Sequence, residues 1–273
     1  MKRLINSRKI FDEVAELIDS ACYAVGSGVL GTFRQLGVIA MFTMRVFRHA
    51  ILPPFFLKQF GKACVSVGFY SLPVVGLTAI FTGMVLALQS YTGFARFNAE
   101  SAIANVVALS VTRELVPVLA GLMVAGRVGA SIAAEIGTMR VTEQLDAMRT
   151  LRVNPFKYLI VPRVLAGVIT LPILVLIGDI IGILGGYIVG VHVLDFNPTR
   201  YISQTLDFLT PFDVISGLIK AAVFGFIVTL MGCYHGYVSG RGAQGVGKAT
   251  TNAVVSASVL ILIVNYFLTQ MFF

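Results

Sequence analysis

The sequence predicts an all-α integral membrane protein with about five transmembrane helices, and three observations carry that prediction. Hydrophobic residues make up 57% of the 273-residue chain and charged residues 12%, a balance that belongs to the membrane class. Long apolar stretches recur along the chain at about the 20 residues that a helix needs to cross a bilayer. Basic residues, finally, gather in alternate connecting segments, which is how a multi-spanning chain sets its orientation.

Residues 1–60 read as an amphipathic and interfacial N-terminal region, ahead of a transmembrane domain over 61–273. The opening MKRLINSRKIFDEVAELIDS carries Asp12, Glu13, Glu16 and Asp19, where a removable signal needs an unbroken apolar core. Phe11, Val14, Ile18 and Val25 recur at roughly helical spacing with acids on the other side, the pattern of a helix lying on a membrane surface or against a partner. The apolar run 35–44, QLGVIAMFTM, sits between Arg34 and Arg45. It is too short to cross and belongs at the interface. Pro53-Pro54 ends that region.

The first span is expected over about 65–90, inside the charge-free stretch 63–95. The second, 101–126, contains Arg113-Glu114 near its middle. The third, 164–194, is interrupted only by Asp179. The fourth, about 214–235, contains Lys220 and follows a loop rich in Pro and Asp. The fifth, 249–273, has no charge and follows the glycine-rich loop GYVSGRGAQGVG. Nine basic residues lie in 1–62, six in 127–163 and two in 236–248, against one each (Arg96 and Arg200) in the segments after spans one and three. The positive-inside rule then puts the N-terminus in the cytoplasm and the C-terminus outside. Glycines at 178, 182, 186 and 190 form a stripe on span three that lets another helix approach closely, either within one subunit or between two.

Between spans two and three lies EIGTMRVTEQLDAM, residues 135–148. At 100° per residue, Ala134, Thr138, Val141, Leu145 and Met148 share one face. Glu135, Arg140, Glu143, Gln144 and Asp146 share the other, with Met139 among them as an apolar knob. This predicts an amphipathic helix on the cytoplasmic side, ending near Asn154-Pro155. A helix seeking anionic lipid would be mainly Lys and Arg. Mixed charge with one Met suits a groove in another protein, and an ABC permease receives force from its ATPase through such a helix.

Several functions are disfavoured by the residues themselves. GAQGVGKAT, 242–250, approaches the phosphate-binding pattern GxxxxGK[ST] but has Ala249 where the magnesium-ligating hydroxyl belongs, and no strand precedes it. A tight turn, with Thr250 or Thr251 capping the last helix, is the better reading. Cys22, Cys64 and Cys233 are far apart, and His49, His192 and His235 form no metal-ligand spacing. No nucleophile–base constellation is visible. The net charge of +8 is explained by orientation in a membrane rather than by nucleic acid.

Three long segments resemble the MlaE-type permeases, the membrane subunits of ABC transporters that work with MCE-domain proteins. They are LSVTRELVPVLAGLMVAGRVGASIAAEIGTMRVTEQLDAM (109–148), PRVLAGVITLP (162–172) and GAQGVGKATTNAVV (242–255), in the family's order. The likeness covers roughly 55–270. It implies a homodimeric permease in a bacterial inner membrane, binding a cytoplasmic ABC ATPase through the polar helix and a periplasmic MCE-domain protein on the other side. A small cytoplasmic accessory subunit is a further partner of such systems. ATP and magnesium are used by the ATPase, with no cofactor on the permease itself. The implied activity is movement of phospholipid or related lipid between inner and outer membranes, which maintains outer-membrane lipid asymmetry. One position departs from the family pattern: Asn265, in VNYFLT, stands where many members carry Asp.

An ionised side chain at mid-span costs about 2.5–3.5 kcal/mol on insertion scales, so Arg113, Glu114, Asp179 and Lys220 each need a partner or water. Arg113 and Glu114 are adjacent and point about 100° apart. The expected pairs are Arg113 with Asp179 and Glu114 with Lys220, either as bridges between helices or as a polar wall facing a lipid headgroup. Since relatives hold lipid between two subunits, Gln89 and Tyr91 belong near that wall, with Leu86 and Leu88 as acyl contacts. A rival reading is an ion- or proton-coupled secondary transporter using Glu114 or Asp179. The chain lacks the inverted repeats common in such folds.

Overall fold

The computed structural model describes residues 23, 26–27, 30–31, 33–51, 53–54, 56–94 and 102–273. Every regular element among them is helical. The chain forms two compact units, Met1–Arg48 and His49–Phe273. Residues 33–51 are helical (α1) and take in the run 35–44. Phe11, Val14, Ile18 and Val25 of the expected amphipathic helix lie outside the described residues.

The second unit contains α2 (Leu57–Val67), α3 (Leu72–Phe94), α4 (Ile103–Val141), α5 (Gln144–Thr150), α6 (Phe156–His192), α7 (Pro198–Phe208), α8 (Pro211–Tyr237) and α9 (Gly242–Phe272). Five segments are long and apolar enough to cross a membrane: α2 with α3, α4, α6, α8 and α9. The protein is therefore a multi-pass, all-α membrane protein. Its helices outrun the expected spans. The 39 residues of α4 measure about 58 Å at 1.5 Å per residue, against a hydrocarbon core of about 30 Å.

Local sequence explains the interruptions. The first span breaks at Gly68, followed by a short 3-10 turn at Phe69–Ser71. Pro73 then opens α3 at a position where a missing N–H is harmless. Helix α4 carries two wide π turns, Val111–Leu115 and Ala125–Gly129. Pro117 follows the first of them, and a proline inside a helix leaves the carbonyl four residues back, here that of Arg113, without its usual donor.

The glycine stripe on α6 packs within the chain. A Cβ on Gly178 would lie 2.8 Å from Val116, one on Gly182 3.0 Å from Val111 and one on Gly186 2.7 Å from Val107. All three valines belong to α4. At Gly190 the neighbour is the ring of Tyr201, at 2.8 Å. A Cβ on Gly185 would meet the carbonyl of Ile80, and one on Gly83 the carbonyl of Gly182, so α3 and α6 touch backbone to backbone. Without side chains between them, the helices approach closely and gain dispersion contact, one of the forces that holds helices together in lipid.

Two connections differ from expectation. The segment read as a loop after span three contains α7, whose N-cap Asn197 accepts from the backbone N–H of Arg200 at 3.2 Å, with Pro198 next. Helix α9 begins at Gly242, not near 249, with φ +76° at that glycine. The glycine-rich motif is thus its first turns. Gly245 is there because a Cβ would lie 2.5 Å from the backbone of Gly240. Thr250 and Thr251 donate back to the carbonyl of Gly247 instead of capping.

Candidate functional site

Arg113, Glu114 and Lys220 come together at one end of the bundle, while Asp179 does not join them. Helices α4, α8 and α9 bring them there, and the first π turn of α4 carries Arg113 and Glu114. Lys220 on α8 has no exposed surface. Its Nζ donates to Glu114 Oε1 at 2.6 Å, to Thr269 Oγ1 at 2.8 Å and to the carbonyl of Arg113 at 3.1 Å. All three ammonium protons are thereby used, one of them on the carbonyl that Pro117 cannot serve. Glu114 also accepts from Asn265 Nδ2 at 3.0 Å and from Thr269 Oγ1 at 2.9 Å, both on α9. The expected Glu114–Lys220 pair is present.

The other expected pair is not. Arg113 Nε donates to Asp213 Oδ1 at 2.7 Å. Asp213 is the third residue of α8, and its second oxygen accepts from Thr210 N at 2.9 Å and Thr210 Oγ1 at 2.8 Å, closing a capping box. One carboxylate caps a helix and neutralises an intramembrane arginine. Arg113 also lies over the ring of Phe273, 3.9 Å from its centroid. Asp213 was absent from the expected set because the sequence placed it in the loop before span four. The signal that could have found it was Thr210-Pro211-Phe212-Asp213, a helix-start pattern. Asp179, the partner expected for Arg113, is buried on α6, and neither of its carboxylate oxygens has a hydrogen-bond partner among the described residues.

Beside the cluster runs an open apolar groove of about 490 Å³, lined by one face of α3 from Leu77 to Gln89 and by Leu115, the neighbour of Glu114. Leu86 and Gln89 line it. Leu88 is exposed but is not among the residues that line the groove. Tyr91 stands apart from it, with its ring 6.0 Å from that of Phe196.

At the opposite, basic end the expected docking helix is two pieces. Helix α4 continues to Val141, the chain turns at Thr142 and Glu143, and α5 follows. Glu143 takes a left-handed conformation, φ 57°. The face buried near the end of α4 is Ile132, Ala133, Ile136 and Gly137, not Ala134, Thr138 and Val141. Leu145 anchors α5 and Met148 is half-buried. Arg140 donates to the carbonyl of Tyr237, and Arg149 bridges Asp146 and the Tyr237 hydroxyl. Glu135 pairs with Arg163 of α6 at 2.6 Å. Met139 is half-buried, and the exposed apolar residues at the corner are Val141 and Leu151. Glu143, Gln144 and Asp146 stand exposed.

Comparison with known proteins fits this arrangement. A Rickettsia felis protein named a probable ABC transporter permease is 60% identical over 92% of this chain and 96% of its own length. A Synechocystis protein with the same kind of name is 40% identical over 88% and 92%. The intermembrane phospholipid transport system permease protein MlaE of Haemophilus influenzae is 37% identical over 92% and 96%. The pattern described as Permease MlaE matches residues 60–271, and the chain belongs to the MlaE permease family.

Proposed function

We propose that this chain is the membrane subunit of an ABC transporter that moves phospholipid or a related lipid between inner and outer membranes. The ATPase is a separate cytoplasmic subunit that uses ATP and magnesium, and an MCE-domain protein receives or delivers lipid on the periplasmic side. Two copies of the chain enclose the lipid. A small cytoplasmic accessory subunit completes the assembly. The basic end, with α5, lies in the cytoplasm, and the C-terminus is periplasmic.

The observation that carries this reading is the cluster of Arg113, Glu114, Asp213 and Lys220 beside an apolar groove. Four ionisable side chains within membrane spans carry a heavy insertion cost, and such groups face a bundle interior or a water-filled cavity. A cluster of both signs next to an acyl-sized apolar wall matches a molecule with a charged head and greasy tails. The exposed residues of the corner at Glu143 offer the ATPase a mixed-charge surface. The name of the Haemophilus relative supports phospholipid as the cargo class.

The test is reconstitution in liposomes with the ATPase subunit and a fluorescent phospholipid. Transfer that requires hydrolysable ATP is the expected result. Transfer driven by a proton gradient without ATP would contradict it and favour a secondary transporter.

A further inference from the structure

A second polar site lies at the basic end, far from the cluster just described. Helices α2, α4 and α6 enclose a pocket of about 270 Å³ whose lining includes Lys62, Ser66, Ser131, Glu135, Tyr158 and Arg163. Most of these groups are donors. Lys62 has no ion-pair or hydrogen-bond partner among the described residues. Gln59 donates to the Tyr158 hydroxyl at 2.6 Å, which leaves that hydroxyl's own proton free to donate. Arg163 spends Nη2 on Glu135, while its Nη1 is buried with no partner. A buried guanidinium nitrogen without an acceptor costs free energy, and such an orphan calls for an explanation.

The donor set exceeds the acceptors available. Glu135 is the one carboxylate in the lining, and Lys62 and Arg163 together outweigh it. An acceptor-rich anion resolves the imbalance, and a phosphate group offers several oxygens to converging donors. The pocket also sits at the right depth. Helix α4 carries no charged residue between Glu114 and Arg127, and the pocket begins at Val128, one residue beyond. That is where hydrocarbon gives way to headgroups.

We propose that this pocket binds a phosphate group, the chemistry shared by a phospholipid headgroup of the adjoining leaflet and free phosphate. It goes beyond the transport reading, resting only on the five-span arrangement and the pocket's own donors.

The test uses the purified full chain in a phosphate-free maltoside detergent, with bound species counted by native mass spectrometry. Three probes are compared: dioctanoyl phosphatidylglycerol, dioctanoylglycerol and inorganic phosphate. The expected result is a phosphatidylglycerol adduct that Lys62→Glu reduces at least about tenfold and Tyr158→Phe severalfold, with no comparable dioctanoylglycerol adduct. Tyr158→Phe keeps the ring that packs on Phe56 and removes only the hydroxyl, with its bond from Gln59. An inorganic phosphate adduct with the same sensitivity, and no lipid adduct, supports the site with a soluble source. Binding indifferent to both substitutions, or equal for the two lipids, overturns the proposal. Loss of the lipid adduct on Glu114→Gln but not on Lys62→Glu also overturns it, while leaving the permease reading intact.

Discussion

Nζ of Lys220, on a side chain with no exposed surface, lies 2.6 Å from Oε1 of Glu114. Removing one member of a buried pair strands the other, at a cost of about 3–5 kcal/mol, whereas replacing both with neutral groups is often tolerated. Glu114→Gln alone, which strands the fully buried ammonium, is therefore expected to lower the thermal midpoint sharply. Lys220→Met alone should lower it less, because the Glu114 side chain is 35% exposed and keeps Asn265 and Thr269 as donors. Lys220→Met combined with Glu114→Gln should recover most of the loss. Midpoints in detergent for the two singles and the double check this, and additive losses would contradict the pairing.

Asp213 has two tasks that separate by substitution. Asp213→Asn keeps an acceptor for the Thr210 N–H but removes the counter-ion of Arg113. Asp213→Ala removes both, and the lost cap adds about 0.5–2 kcal/mol. Thermal unfolding should rank wild type above Asn and Asn above Ala. Equal stability of Asn and Ala would show that the cap contributes nothing.

Helix contact through glycine gives a sharp contrast on α3. A Cβ at Gly83 would lie 1.9 Å from the carbonyl of Gly182, while one at Gly93 meets nothing within 4 Å. Gly83→Ala should cost about 1–3 kcal/mol or more, as overpacking does. Gly93→Ala should leave stability unchanged or raise it slightly. Circular dichroism melts of the two variants decide the matter.

The corner at Glu143 separates folding from coupling. A left-handed backbone costs a non-glycine residue about 1–2 kcal/mol, so Glu143→Gly should hold or raise the melting point. If the exposed carboxylate meets the ATPase, the same variant should lose stimulation of ATP hydrolysis in the reconstituted complex. Glu143→Val should lower stability, since branching at Cβ worsens the strain.

The spans were legible because length and unbroken hydrophobicity are properties of one segment at a time. Glu114–Lys220 could be paired by elimination, but Arg113–Asp213 could not. Which helices are neighbours is a three-dimensional fact, and Asp213 lay one residue outside the expected fourth span. The corner was misread because the 4-3-4-3 spacing from Ala134 to Met148 runs across the break at Thr142–Glu143 by coincidence. Periodicity has no term for a left-handed glutamate. The start of α9 was missed for a related reason, since Gly245 and Gly247 look like loop residues until Gly240 is seen pressing against the helix.

The most direct test of the account places a single cysteine at residue 143, by Glu143→Cys in a chain whose native cysteines are alanine, and labels it with a benzophenone. In a preparation that moves lipid with ATP, illumination should capture the nucleotide-binding subunit, identified by mass spectrometry, with a yield that changes between ATP-bound and nucleotide-free states. A transport-competent preparation in which that residue never captures the ATPase would contradict the claim that force enters the membrane subunit at this corner.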